Sequence, residues 1–300
     1  MIELDARAFE HLCRTGVVRT QLDTLDERRR RSIRHFWFHL VGSLVLAAVV
    51  LISLAGYGWL ISGIILAGLV VIVGLFFAFR PLGAVKAELK HPVLETLAGQ
   101  NGMEYLPDGF DPPVFPEASQ SLFGGITSYG FTDLFHGTDK DRKRFAFYEG
   151  KLVRGSGKNA KTLFSGQFYA FQRRSPGNGE TAIVPDKGLF NFSKPSGFQR
   201  IGFDGDPAFE SCFEVYTNEP AASLVLLEAD ARRTLLDLRA GGKTFVYVGP
   251  EDVLVGIWGK NRFEPGSMFS ARPGEQRVKE MFEEVRAALS VIRTLKAALD

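Results

Sequence analysis

FWFHLVGSLVLAAVVLISLAGYGWLISGIILAGLVVIVGLFFAF, residues 36–79, contains no Asp, Glu, Lys or Arg. A helix crosses a hydrocarbon core of roughly 30 Å with about 20 apolar residues. This stretch of 44 residues is therefore long enough for two spans and too long for one. The break falls at Ala55-Gly56-Tyr57-Gly58, where glycine supplies turn conformations. The spacing predicts one span over 36–55 and a second over 59–79. Phe36, Trp37 and Phe38 are aromatic anchors at one interface, and Tyr57 and Trp59 at the other. A signal peptide is excluded, because the stretch starts 35 residues into the chain and a signal core is only about 7–15 residues long.

The flanks orient the hairpin. Arg28, Arg29, Arg30, Arg31 and Arg34 precede it, and Arg80, Lys86 and Lys90 follow it, while the connecting turn carries no Lys or Arg. Positive-inside counting places both flanks in the cytoplasm, and an even number of spans requires the same. In the second span Gly63, Ala67, Gly74 and Ala78 share a face, and the first offers Ser43 and Ala47. Small residues let helices approach closely in lipid, either within the hairpin or along a homo-oligomeric seam. His39 is the lone ionisable residue of the stretch and lies near its cytoplasmic end.

Outside this segment the chain has the composition of a folded protein. Apolar residues make up 45% of the 300, charged residues 23%, and the net charge is +2, which excludes general disorder. Two cysteines, Cys13 and Cys212, are too few for a disulfide scaffold or a cysteine zinc site. Residues 1–35 read as an amphipathic cytoplasmic helix, over 3–34, running into the first span; Leu4, Ala8 and Leu12 are spaced by four, and Leu22, Leu25 and Ile33 continue the stripe. Asp26 with Arg30 and Glu27 with Arg31 are i,i+4 pairs.

Residues 80–120 read as a connector. Arg80-Pro81 is expected to end or kink the second span, and 92–100 to form a short helix. The run Pro112-Pro113…Pro116 is expected to hold neither a helix nor a central strand. Residues 121–300 read as an α+β cytoplasmic domain. The patterns at 131–135 and 144–153 make a hairpin around HGTDKDRK. Further strands are expected at 163–172, 181–184, 198–203 and 213–216, with a hairpin of 243–248 and 253–258. Asp206-Pro207 starts a helix, with Asp as cap and Pro in the first turn. A helix over 229–239 stops at Gly241-Gly242. Seven to nine strands with few helices between them predict a mainly antiparallel sheet. A long C-terminal helix over 274–299 carries Val278, Met281, Val285, Ala288, Ile292, Leu295 and Leu299 at three-four spacing, suited to docking within the chain or to a coiled coil between copies.

Chemical signatures are few. The five histidines have no metal-ligand spacing, and HExxH, CxxC and GxSxG are absent. No cofactor or metal is expected. Arg154-Gly-Ser-Gly-Lys158-Asn159 lacks both the first glycine and the Ser/Thr of a phosphate loop. Asp133, His136, Asp139 and Asp141 form the one cluster with acid/base character, the site of an alternative reading as a membrane-bound enzyme. Residues 136–161 carry eight Lys/Arg against three Asp/Glu, in a region after residue 90 that is otherwise acidic. An anionic membrane surface is the expected partner of Arg28–Arg31 and of Lys140, Lys143, Arg144 and Lys158. Nucleic acid is not expected, for want of a larger excess and a recognisable module.

The double span, Asp133-Leu-Phe-His-Gly137, Leu163-Phe-Ser-Gly-Gln-Phe168, Phe209-Glu-Ser-Cys-Phe-Glu-Val-Tyr216 and the stretch from Leu254 to Phe263-Glu-Pro265 stand in an order that resembles a bacterial membrane-protein family. That family is catalogued as domain of unknown function 3137. The resemblance implies a bacterial plasma-membrane protein and brings no catalytic residues with it. Taken together, the expectation is a two-span anchor for a cytoplasmic binding or scaffold domain without catalysis. Its partners would be the bilayer, another membrane or cytoplasmic protein, or a second copy.

Overall fold

The computed structural model describes residues 6–14, 16–186 and 196–300. The chain divides into two compact units, one of residues 4–96 with 264–282 and one of residues 97–263 with 283–300. The proposed stripe residue Leu4 lies outside the described residues.

The first unit contains α1 (Ala6–Arg14), α2 (Gly16–Gly56) and most of α3 (Leu60–Gln100). Its N-terminal part is two helices, where the sequence predicted one. The second begins at Gly16, a residue that propagates helix poorly. Leu12 and Val18 are fully buried, and Phe9 meets Phe282 edge to face at 5.4 Å. Of the two charge pairs expected here, Glu27–Arg31 forms at 2.9 Å, whereas Asp26 pairs with Arg29.

α2 and α3 are two helices long and apolar enough to cross a membrane, and almost none of their apolar windows is buried. The turn between them closes through the Leu54 carbonyl, which accepts from the amides of Tyr57 and Trp59, with Gly58 at φ 78°. Within the hairpin, a Cβ at Gly74 would overlap Ser43, and one at Gly63 would meet Leu54 Cβ at 3.2 Å. Ala78 and Ala47 are buried and Ala67 half-buried, so the small-residue face lies against the partner helix.

The expected end of the span at Pro81 and the separate helix over 92–100 are corrected: α3 is one helix that continues through Pro81 and Pro92. A proline inside a helix costs about 3 kcal/mol. Leu82, Val85, Leu89 and Val93 nevertheless form one buried stripe that begins just after Pro81 and spans Pro92. Burying each such side chain contributes about 1.5–3 kcal/mol, so the stripe outweighs the prolines. Beside it Glu264 pairs with Lys86 and, at 2.6 Å, with Lys90. Burial works against the charge of Glu264, but hydrogen bonds from both lysines outweigh it and hold the carboxyl below its ordinary range.

The second unit is a nine-stranded antiparallel sheet of order β1-β2-β3-β4-β9-β8-β5-β7-β6. The strands are β1 (Met103–Leu106), β2 (Ser128–Thr138), β3 (Arg144–Arg154), β4 (Lys161–Gln172), β5 (Thr181–Pro185), β6 (Gln199–Ile201), β7 (Phe213–Thr217), β8 (Thr244–Val248) and β9 (Asp252–Trp258). The helices are α4 (Phe115–Leu122), α5 (Pro207–Glu210), α6 (Pro220–Leu226), α7 (Ala229–Arg239) and α8 (Gly274–Leu299), the last beginning in the first unit. The class is α+β, as expected, and both predicted hairpins form. Asp206 caps α5, its Oδ1 accepting from the Phe209 amide at 3.1 Å.

Strand alternation divides the aromatic residues between two faces. One carries Tyr148, Phe164, Phe168, Phe245 and Tyr247 beneath Phe115, Ala118 and Leu122 of α4. The other carries Phe135 and Phe147, stacked at 4.7 Å and both met by Phe263. The apolar stripe of α8, from Val278 to Leu299, is buried within the chain, so it is not a free seam for a coiled coil. The expectation that the proline run holds no helix is also corrected. α4 starts directly after Val114 and takes Pro116 into its first turn, where a missing amide costs nothing.

At Gly166 of β4 a Cβ would overlap the Ile257 carbonyl of β9, whereas at Gly130 of β2 it would meet open space. Gly166→Ala is expected to destabilise the sheet by about 1–3 kcal/mol. Gly130→Ala is expected to leave it unchanged. Thermal unfolding of the full chain in detergent, followed by near-ultraviolet circular dichroism, compares the two.

Candidate ligand cleft

The Phe- and Tyr-rich strands are interrupted by two small residues on the face covered by α4. Ala146 of β3 pairs directly with Ala170 of β4, and His136 of β2 pairs with Ala146. Their row lies where the neighbouring row carries Tyr148 and Phe168. Two missing rings in adjacent strands leave a cleft of about 600 Å³. Leu134, Ala146 and Ala170 line its floor, and Phe110, Pro113 and Val114 of the proline run its opposite wall.

That wall is held in place. The hydroxyl of buried Tyr148 donates to the Pro113 carbonyl at 2.9 Å. Burial pushes the Tyr148 hydroxyl well above its ordinary range, so it stays a neutral donor. Val114 sits in the left-handed region at φ 64°, which a β-branched residue adopts only under constraint.

Polar groups stand at one end of the cleft. Gln172 pairs with Asp252 across β4 and β9, and the Arg144 amide donates to Gln172 Oε1 at 3.4 Å. Arg144, Gln172 and Asp252 therefore form a polar row beside the alanine row. Glu117 enters from α4 and Asp111 from the proline run. Burial raises the Asp252 carboxyl above its ordinary range; Arg144 opposes the shift, and Glu251 and Glu117 add to it. A carboxyl made harder to ionise inside an apolar cleft makes the cleft a candidate binding site.

The four residues of the acid/base cluster do not converge. Asp133 is buried at a bulge of β2, at φ 58°, and accepts from the Tyr105 hydroxyl at 2.7 Å. His136 lines the cleft and lies 3.4 Å from Glu104. Asp139 organises the β2–β3 turn by accepting from the amides of Asp141 and Lys143, each at 2.9 Å, and pairs with Lys296 of α8. Asp141 is exposed, 3.9 Å from Arg174. Only His136 of the four reaches the cleft.

The basic segment is also divided. Lys140, Lys143 and Arg144 lie at the β2–β3 turn, and exposed Lys158 lies in a 3-10 turn (Gly157–Asn159) at the far end of β3. Eleven strand residues separate the two ends by roughly 35 Å. Arg154 is engaged structurally, donating to the carbonyls of Phe123 and Gly124 at 2.9 and 2.7 Å. In the first unit, Arg28 pairs with Glu88 at 2.7 Å and Arg30 is exposed. Arg29, grouped with them by sequence, is instead buried and donates to the Ser270 carbonyl, which also accepts from fully buried Arg277. Its guanidinium is thus engaged within the first unit.

The arrangement is that of a sheet domain with one apolar, acid-rimmed cleft, in a chain with two helices of membrane-spanning length. The family described as "Protein of unknown function (DUF3137)" matches residues 162–297, and it is the family that the sequence resembles. None of the curated proteins matches the chain. Among solved structures, the mycobacterial trehalose monomycolate transport factor A, TtfA, is similar at a TM-score of 0.34, with 11% identity over 66% of this chain and 93% of that one. A similarity of that size carries no argument about role.

The Asp139–Lys296 pair gives a pH prediction. Burial raises the Asp139 carboxyl, but hydrogen bonds from Lys296 and the Lys143 amide outweigh it, so the folded value lies below the ordinary one. The stabilisation is complete above about pH 4, the unfolded value, and is lost as pH falls through the lower folded one. The thermal midpoint of the wild type should fall more steeply between pH 5 and pH 3 than that of Lys296→Met. Equal slopes would show that the pair contributes nothing.

Proposed function

We propose that the chain is a membrane-anchored binding protein whose sheet domain faces the cytoplasm and engages a ligand or partner without catalysing a reaction. The observation that carries this reading is the pair of apolar helices with bare outward faces and cationic flanks. Lipid is the natural cover for such surfaces. The dispersal of Asp133, His136, Asp139 and Asp141 supports binding over catalysis, since no base, nucleophile and orienting group stand together. The resemblance to a bacterial family supports the plasma membrane as location. Lys140, Lys143 and Arg144 at one end of the sheet supply a patch for anionic headgroups, at about 1 kcal/mol each near a charged surface. Gly63, Ala67, Gly74 and Ala78 serve the packing of the hairpin; a second copy or another protein meets the outer helix faces.

A reporter active only outside the cytoplasm is expected to be silent when fused after Asp300 and active when inserted at Gly58. An active fusion after Asp300 would overturn both the two-span anchor and the cytoplasmic placement.

A further inference from the structure

We propose that the cleft between the proline run and β2–β4 takes a small amphipathic cation. Its apolar body would lie on Ala146 and Ala170, with an ammonium or guanidinium head between Glu117 and Asp252. The inference deepens the reading of this domain as a binding domain and rests on it.

Shape comes first. A cleft of about 600 Å³ has the capacity of a small-molecule site, and two residues of its floor, Ala146 and Ala170, are too small to fill it. The wall opposite is preorganised by the Tyr148–Pro113 hydrogen bond and by the left-handed Val114. Preorganised walls lower the ordering cost of binding.

Charge decides the head group. The cleft is lined by three carboxylates, Asp111, Glu117 and Asp252, against one guanidinium, Arg144. Among the described residues, the side chains of Glu117 and Asp252 make no hydrogen bond or ion pair. Both carboxylates line the same cleft, and where burial and Glu180 chiefly raise the Tyr247 hydroxyl, Glu117 and Asp252 each add to the shift, so the two share one neighbourhood. A cation placed between them relieves that repulsion and gains charge-assisted hydrogen bonds. An anion would find Arg144, two strands from Asp252 and thus roughly 10 Å across the sheet, and His136, which already lies 3.4 Å from Glu104.

The test uses the full chain in phosphatidylcholine nanodiscs, with empty nanodiscs as the control for partitioning. Three probes share one aromatic body: 2-phenylethylamine, 3-phenylpropionate and 2-phenylethanol. Ligand-observed saturation-transfer titrations should show the amine binding roughly ten-fold tighter than the other two. The Glu117→Gln/Asp252→Asn double variant should erase that preference while leaving the alcohol unchanged. Glu117→Gln alone, at an exposed position of α4, should reduce it. Ala146→Leu, which fills the floor, should weaken all three probes. The preference should also decline on acidification earlier than an ordinary Asp would predict. Tighter binding of the carboxylate, or an amine preference indifferent to the double variant, would overturn the ligand class alone. No binding of any probe, or binding indifferent to Ala146→Leu, would overturn the cleft as a site; the topology of the anchor is read separately by the reporter.

Discussion

Apolar helix surface that no described part of the chain covers has to be kept from water, and this constraint organises the first unit. Along 36–79 nearly every outward side chain is aliphatic or aromatic, and leaving one such side chain in water costs about 1.5–3 kcal/mol relative to burying it. The helical backbone satisfies its own polar groups, so the two helices can exist in lipid without other partners. Charge is accordingly excluded from the stretch and gathers at its ends. There it is tied down: Arg28 to Glu88, Lys86 and Lys90 to Glu264, and Arg29 with Arg277 to one carbonyl of residue 270. Leu82, Val85, Leu89 and Val93, the buried stripe that spans Pro92, alternate along α3 with Lys86, Glu88 and Lys90 of these pairs.

The second unit solves a different problem. A wide antiparallel sheet needs both faces covered when both are apolar, and this one is rich in Phe and Tyr on each. One face is closed by α4 and the proline run, which contribute Phe110, Val114 and Phe115 to the core. The cleft arises where that cover meets Ala146 and Ala170. A pair of aromatic residues there would have buried more surface and made a tighter core. The empty volume and the left-handed Val114 both work against stability, and such departures from the most stable solution concentrate where a protein binds something.

Much of the fold is legible in the sequence because its signals are local. The uncharged run of 36–79, the alternation in β3 and β4, the Asp206-Pro207 start and the three-four stripe of α8 each announce an element without reference to the rest. The misreadings share a cause. The intrinsic cost of Pro81 and Pro116 argues against helix, and Pro92 suggests a helix start, but burial of the neighbouring stripe, or a place in the first helical turn, decides otherwise. β1 and α6 are short and carry little periodicity of their own. The cleft is harder to see. An alanine in RFAFYEG and another in QFYAFQ are unremarkable until the register sets them opposite each other. Asp252 reads as a turn residue until β9 is laid beside β4.

The same dependence on register explains why a charge count over 136–161 misleads. Eight cations within 26 residues look like one basic surface. β3 carries them to opposite ends of an eleven-residue strand and turns Arg154 inward onto three backbone carbonyls. The cleft bordered by that segment then acquires the opposite sign, because its walls come from elsewhere: Asp111 and Glu117 from the proline run and α4, Asp252 from β9. Arg144 belongs to both descriptions, basic by its segment and outnumbered by carboxylates in its surroundings. What a ligand meets is set by the strands that lie side by side, so a predominantly basic stretch of chain borders a site whose field favours a cation.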